Sequence, residues 1–117
     1  MGLFRRRRSE FVGLTAEDRQ VMTLLVEAGA DLRRPRHVDH YLYFEVEDDA
    51  IAAAAEATGA GWDVRLDATD SEVPVWCLQV ERHEVVLTAE LLSEDRTTLR
   101  DLAARRNGEY DGWGAEV

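Results

Sequence analysis

Between residues 38 and 46 apolar and polar side chains alternate without a break. Val38, His40, Leu42, Phe44 and Val46 fall on one side, and Asp39, Tyr41, Tyr43 and Glu45 on the other. Successive side chains of a strand point to opposite faces, so the pattern predicts a strand with one face on a core. The alternation returns at residues 62–68, where Trp62, Val64, Leu66 and Ala68 oppose Asp63, Arg65 and Asp67. After the turn residues DSEVP, a third copy sets Trp76, Leu78 and Val80 against Cys77 and Gln79. The stretch EVVLTAELL, residues 84–92, fits either a continuation of that strand or a further short one.

Three segments carry the helical period instead. The first starts at TAED, where Thr15 caps the amide three residues on and Asp18 is placed to return the bond, a capping box. Val21, Leu24, Leu25 and Ala28 share a face, and Gly29 supplies a left-handed stop. The second starts at Asp48 or Asp49, stripes Ile51, Ala54, Ala55 and Thr58, and stops at Gly59. The third starts at Ser93, buries Leu99, Leu102 and Ala103, and runs out through Arg105, Arg106, Asn107 and Gly108. Acids at its start and arginines at its end suit the helix dipole.

The order is thus helix, strand, helix, strand, strand, helix, with the C-terminal tail available as a last short strand. Without the first helix the plan is β-α-β-β-α-β. This is a ferredoxin-like α/β arrangement, an α+β sandwich whose antiparallel sheet carries its helices on one face and has an extra N-terminal helix. Residues 1–12 read as a flexible basic arm and residues 13–117 as a single domain.

Charge narrows the partner class. The chain has a formal net charge of −10. Arg5, Arg6, Arg7 and Arg8 against Glu10 make the arm basic, whereas the remaining ten arginines face 23 acids. Such a domain repels phosphate backbones and favours an Arg- or Lys-rich protein segment. Direct nucleic-acid binding is therefore not expected. No apolar run is long enough to span a membrane, and the arm has no apolar segment behind it as a secretory signal would. A cytoplasmic protein is expected.

Reactive chemistry is thin. His37 and His40 lie three apart on one strand, on opposite faces, and cannot clamp one metal together. Asp39 and His40 diverge for the same reason, and no third orienting group is evident. His83 sits in a polar corner. Cys77 has acidic or apolar neighbours, which suit an inert packed thiol. GAGWD, residues 59–63, precedes a strand, so the amide-lined helix start that cradles phosphate is missing. No catalytic residue, cofactor or metal is expected. What remains is the outward set Tyr41, Tyr43, Glu45, Arg65, Asp67 and Gln79. Aromatics ringed by acids fit a protein-binding face.

Two stretches, GADLRRPRHVDHYLYF at residues 29–44 and GEYDGWG at residues 108–114, resemble the family of the regulator of ribonuclease activity B, the protein inhibitor of ribonuclease E. The resemblance spans roughly residues 15–114. It implies a ferredoxin-like fold, no enzymatic activity, and binding to the basic non-catalytic region of a ribonuclease of the E/G type, with an effect on RNA degradation. The alternative is a self-associating or ligand-binding domain with no ribonuclease link. In the tail, Gly108 is expected to end the third helix, and Asp111-Gly112 to turn the chain so that Tyr110 and Trp113 fold back. The tail is then either a clamp on the core or a recognition edge. The expected partner-binding residues are Tyr41, Tyr43, Glu45, Asp67, Tyr110, Asp111 and Trp113.

Overall fold

A computed structural model describes residues 15–69, 72 and 74–116, and the basic arm lies outside them. The elements run α1 (Ala16–Glu27), β1 (Arg36–Phe44), α2 (Glu47–Gly59), β2 (Asp63–Ala68), β3 (Trp76–Val85), α3 (Ala89–Arg105) and β4 (Gly108–Ala115). The strands form one open sheet in the order β2-β3-β1-β4, and every neighbouring pair is antiparallel. The result is an α+β sandwich. The ambiguous stretch after residue 83 divides: β3 ends at Val85, and Thr88 caps α3 by accepting from the Leu91 amide at 3.1 Å. That helix begins four residues before Ser93, because the Thr88 hydroxyl is the cap and Ser93 lies inside.

The strand pattern of β1 is realised from residue 36 to residue 44; the strand ends at Phe44, and Val46, expected on the core face, is 53% exposed at the start of α2. Arg36, Val38, His40, Leu42 and Phe44 are buried and alternate with half-buried partners. The expected Leu25 of α1 is buried with Val21 packed beside it, whereas the stripe of α2 shifts by one position. In α1 the buried residues are Asp18, Met22 and Leu25, while Leu24 is 57% exposed. In α2 they are Ala50, Ala53 and Ala57, and Ile51 lies outside. Methyl-sized side chains at those three positions let α2 lie close on the sheet, which a stripe containing isoleucine would hold off. Leu99, Leu102 and Ala103 of α3 are buried as expected. Arg105 and Arg106 then reach Glu56 of α2 at 2.5 and 3.2 Å, tying the two helices across the surface.

The inner face holds two apolar clusters. One gathers Leu42, Phe44, Leu78, Val80 and Leu99 under α2 and α3. The other gathers Met22, Leu25, Val38, Leu87, Leu92 and Trp113 under α1. Between them the same elements place polar groups: His40 between Val38 and Leu42 on β1, and Asp95 and Arg96 between Leu92 and Leu99 on α3.

The tail departs from expectation in two ways. Asn107, at φ 59°, takes the left-handed position after α3, not Gly108. Gly108 instead opens β4 against Phe44: a Cβ there would stand within 2.5 Å of the ring and 2.8 Å from the Tyr43 carbonyl oxygen. The Asp111-Gly112 pair is not a turn but a bulge within a continuous strand. Tyr41 pairs with Gly112 and Leu42 with Tyr110, leaving Asp111 as the extra residue, and Gly112 has φ 138°.

Gly108→Ala is expected to destabilise the fold by about 1–3 kcal/mol, since both atoms it meets belong to packed structure. Gly59→Ala, at a helix end with nothing within 4 Å of the new methyl, is expected to be neutral or slightly stabilising. Urea unfolding of the two variants checks the contrast.

Candidate functional site

The face of the sheet opposite the helices is built by register. Tyr43 of β1 lies between Cys77 of β3 and Glu109 of β4, and Cys77 in turn lies opposite Asp67 of β2. One step along, Tyr41 lies opposite Gln79, which lies opposite Arg65. Both tyrosines and Cys77 are half-buried, whereas Glu45, Asp67, Glu109 and Asp111 are exposed. The rings are therefore set into the sheet with carboxylates around them.

The Cys77 side chain beside it, and then burial, raise the pKa of the Tyr43 hydroxyl. Burial first, and then Asp39, raises that of Tyr41. Burial pushes the Cys77 thiol up as well. At neutral pH all three are protonated, so this patch offers hydroxyl and thiol hydrogens rather than a nucleophile. A surface hollow of about 400 Å³ opens beside Tyr43, lined also by Glu45, Val75, Asn107 and Glu109.

Tyr110 and Trp113 lie on the other face. Three apart on a regular strand they would diverge; the bulge at Asp111 shifts the phase and turns both toward the helices. Trp113 is 7% exposed, and its Nε1–H donates to Asp18 Oδ1 at 2.8 Å. The other Asp18 oxygen accepts from Arg96. The Asp18 side chain is thus spent inside the fold. Only the Thr15 half of the expected capping box forms, with the Asp18 amide donating to Thr15 Oγ1 at 3.2 Å.

Tyr110 meets His40 Nδ1 through its hydroxyl at 2.8 Å. Burial, reinforced by the Asp18 charge, raises the Tyr110 pKa far above its ordinary value. The hydroxyl therefore keeps its proton, and the contact occupies Nδ1 and leaves Nε2 on the ring's other side. That nitrogen is buried with no hydrogen-bond partner, and the ring's edge faces Trp62, centroids 5.9 Å apart at 83°. Burial lowers the His40 pKa to about 4. Beside it Arg82 lies over the Trp62 ring, 4.1 Å from its centroid, and grips Asp95 through two hydrogen bonds of 2.6 and 2.9 Å. The tail is accordingly a clamp on the core. Of its three expected contact residues only Asp111 faces outward, since Tyr110 and Trp113 are held on the inner face.

His37 and His40 do face opposite ways. The structure joins His37 instead to His83 of β3, Nδ1 to Nδ1 at 2.9 Å, with Asp39, Glu81 and Asp63 around the pair. Sequence reasoning missed this cluster by testing histidines within one strand. The signal that finds it is the pair of i, i+2 motifs, His37/Asp39 and Glu81/His83, each confined to one face of its strand.

Among the described residues no helix is long and apolar enough to cross a membrane. In comparisons with known proteins, residues 15–115 match the family described as Regulator of ribonuclease activity B. A relative of that name from Actinobacillus succinogenes is 31% identical over 105 residues, 86% of this chain and 72% of its own length. One from Haemophilus influenzae is 28% identical over 109 residues, 91% and 71% of the two chains. The Escherichia coli relative is 29% identical over 102 residues, 84% and 72%.

Trp113→Phe keeps most of the ring but leaves Asp18 Oδ1 without its donor. A loss of about 1–3 kcal/mol is expected, read from the urea midpoint. The His40 pKa gives a pH dependence of defined sign. The unfolded imidazole takes its proton near pH 6.5, and the buried one only near 4. The stability that His40 contributes is complete above pH 6.5 and is lost as the pH falls toward 4, on the order of 3 kcal/mol in all. Unfolding free energies measured from pH 7.5 to 4.5 are expected to decline more steeply for the wild type than for His40→Gln.

Proposed function

The chain belongs to the regulator of ribonuclease activity B family, and we propose that it regulates a ribonuclease by binding it. The partner is a ribonuclease of the E/G type, engaged through a basic segment outside its catalytic region. The binding surface is the open sheet face around Tyr41, Tyr43, Glu45, Asp67 and Asp111. Occupancy of a segment that otherwise contacts RNA or other proteins lowers RNA degradation without any chemical step by the regulator.

The observation that carries this reading is the hollow beside Tyr43. It is lined by Tyr43 together with Glu45 and Glu109. Such a hollow suits the planar guanidinium of an arginine, which stacks on aromatic rings and pairs with carboxylates. The overall charge of −10 gives the long-range part, speeding encounter with a basic partner. Because the tyrosines lie on a laddered sheet, little ordering accompanies binding.

The test is a pull-down from native lysate at low and then raised salt, with bound proteins identified by mass spectrometry. A recovered ribonuclease that is released as salt rises supports the reading. Recovery of the protein alone points to self-association. Combining Tyr43→Ala with Asp67→Arg is expected to abolish capture while leaving the melting temperature close to wild type. Unchanged capture by that variant excludes this face.

A further inference from the structure

The opposite end of the same sheet face holds the one cluster of mixed imidazole and carboxylate groups among the described residues. Asp39 of β1 lies opposite Glu81 of β3, and Glu81 lies opposite Asp63 of β2. Next along, β3 bulges: Arg36 pairs with Val85 and Val38 with Arg82, so His37 faces both His83 and Glu84, with Glu84 at φ 53°. The bulge brings the two imidazoles together, ring centroids 4.6 Å apart.

The hydrogen count of this cluster is uneven. Three contacts each need one hydrogen: His37 Nε2 to Asp39 Oδ1 at 2.5 Å, His37 Nδ1 to His83 Nδ1 at 2.9 Å, and His83 Nε2 to Asp63 Oδ2 at 2.8 Å. Two neutral imidazoles carry only two hydrogens between them. A metal ion bound at His37 Nε2 takes the place of one of these hydrogens. Three carboxylates stand around the pair to receive it.

The geometry points to a divalent transition-metal site at His37, Asp39 and Glu81. Donor atoms of these three residues lie within 4.8 Å of one another. His37 Nε2 stands 2.5 Å from Asp39 and 3.7 Å from Glu81 Oε1. These values straddle the spacing of about 3.3 Å between donors bound tetrahedrally at 2.0–2.1 Å, so a small rotation of the side chains admits the ion. The remaining hydrogens then fall into place. His37 Nδ1–H donates to His83, His83 Nε2–H donates to Asp63, and the free lone pair of His37 Nε2 binds the metal. His83 is a positioning residue that fixes the His37 tautomer. Gln79 does the same for Glu81, donating to Oε1 at 3.1 Å. The three ligands are 15–21% exposed, so the ion enters from solvent and a water completes its shell. The imidazole selects zinc, cobalt or nickel over magnesium and calcium, which prefer all-oxygen shells.

The test is calorimetric titration of the full, tag-free chain with Zn2+, alongside Mg2+. A saturable one-to-one isotherm with Zn2+ alone is expected, together with a rise in melting temperature. His37→Gln and Glu81→Gln each remove the isotherm. His83→Gln weakens it by roughly 10- to 100-fold, while Asp101→Asn on α3 leaves it unchanged. Equal metal-free melting temperatures show that the variants fold. Independently of any variant, Co2+ added to the wild type is expected to give intensified visible bands of low-coordinate cobalt. A Co2+ spectrum like that of the aqueous ion overturns the assignment, as does Zn2+ binding that survives His37→Gln.

Discussion

The position of Asp18 governs the rest of the inner face. Its carboxylate is 4% exposed and is held by the Trp113 indole on one oxygen and Arg96 on the other. Arg96 supplies the opposite charge that a buried carboxylate needs, and the Trp113 indole satisfies the second oxygen, so losing either partner leaves part of a buried polar group unpaired. The contact draws one residue from each of α1, α3 and β4. Only Trp113 on the inner face can complete it, and the bulge at Asp111-Gly112 is what turns Trp113 there.

From this point a polar seam runs across the inner face. Asp18 and Arg96 lead to Tyr110 and His40, and Arg82 with Asp95 lies beside His40 under Trp62. The seam separates the two apolar clusters, so the fold has two small cores rather than one. Each is limited in the stability it can supply, and the seam adds directionality more than free energy. Hydrogen-bonded groups accept only one arrangement, which fixes how α1 and β4 dock. The open face inherits that rigidity, because β1 carries both His40 on the seam and the two tyrosines.

The strands were legible and the seam was not. Period-2 alternation in β1, β2 and β3 identified their faces because successive side chains of a strand point to opposite sides, although Arg36 and His40 share the buried face of β1 and Ala68 of β2 is exposed. The helical stripe of α2 was read one position off, and that of α1 held Leu25 but took in the exposed Leu24 in place of Met22. The sequence rule favours the largest apolar residues, whereas the sheet accepts Ala50, Ala53 and Ala57 and turns Ile51 outward. Asp18 was read as a local cap because capping is a short-range pattern, while its true partners lie 78 and 95 residues away. Asp-Gly signals a positive φ at glycine in a turn and in a bulge alike. Nothing local distinguishes them, and only the demand for both Tyr110 and Trp113 on one face selects the bulge. The tyrosine patch was visible, since it needs only the alternation of β1. The histidine cluster was hidden because its members come from three strands whose register the sequence does not print.

The tyrosine patch and the histidine cluster share strands β1 and β3 but lie at opposite ends of them. From His37 to Tyr43 is six residues, a rise of roughly 20 Å along a strand. That is about twice the screening length at physiological salt, so a cation at His37 barely alters the field at Tyr43. The laddered strands between them, Tyr41 opposite Gln79 and Asp39 opposite Glu81, offer no second arrangement through which one end could move the other. Tyr41, whose pKa Asp39 and Glu81 raise, feels the ion directly, whereas coupling to Tyr43 has to pass through a partner long enough to touch both ends. An extended basic segment of about six residues meets that length. Along its path it would encounter the Tyr43 hollow first and the carboxylates of Asp39 and Glu81 last. A metal ion bound there would neutralise the carboxylates such a segment needs, and so would oppose binding at that end alone.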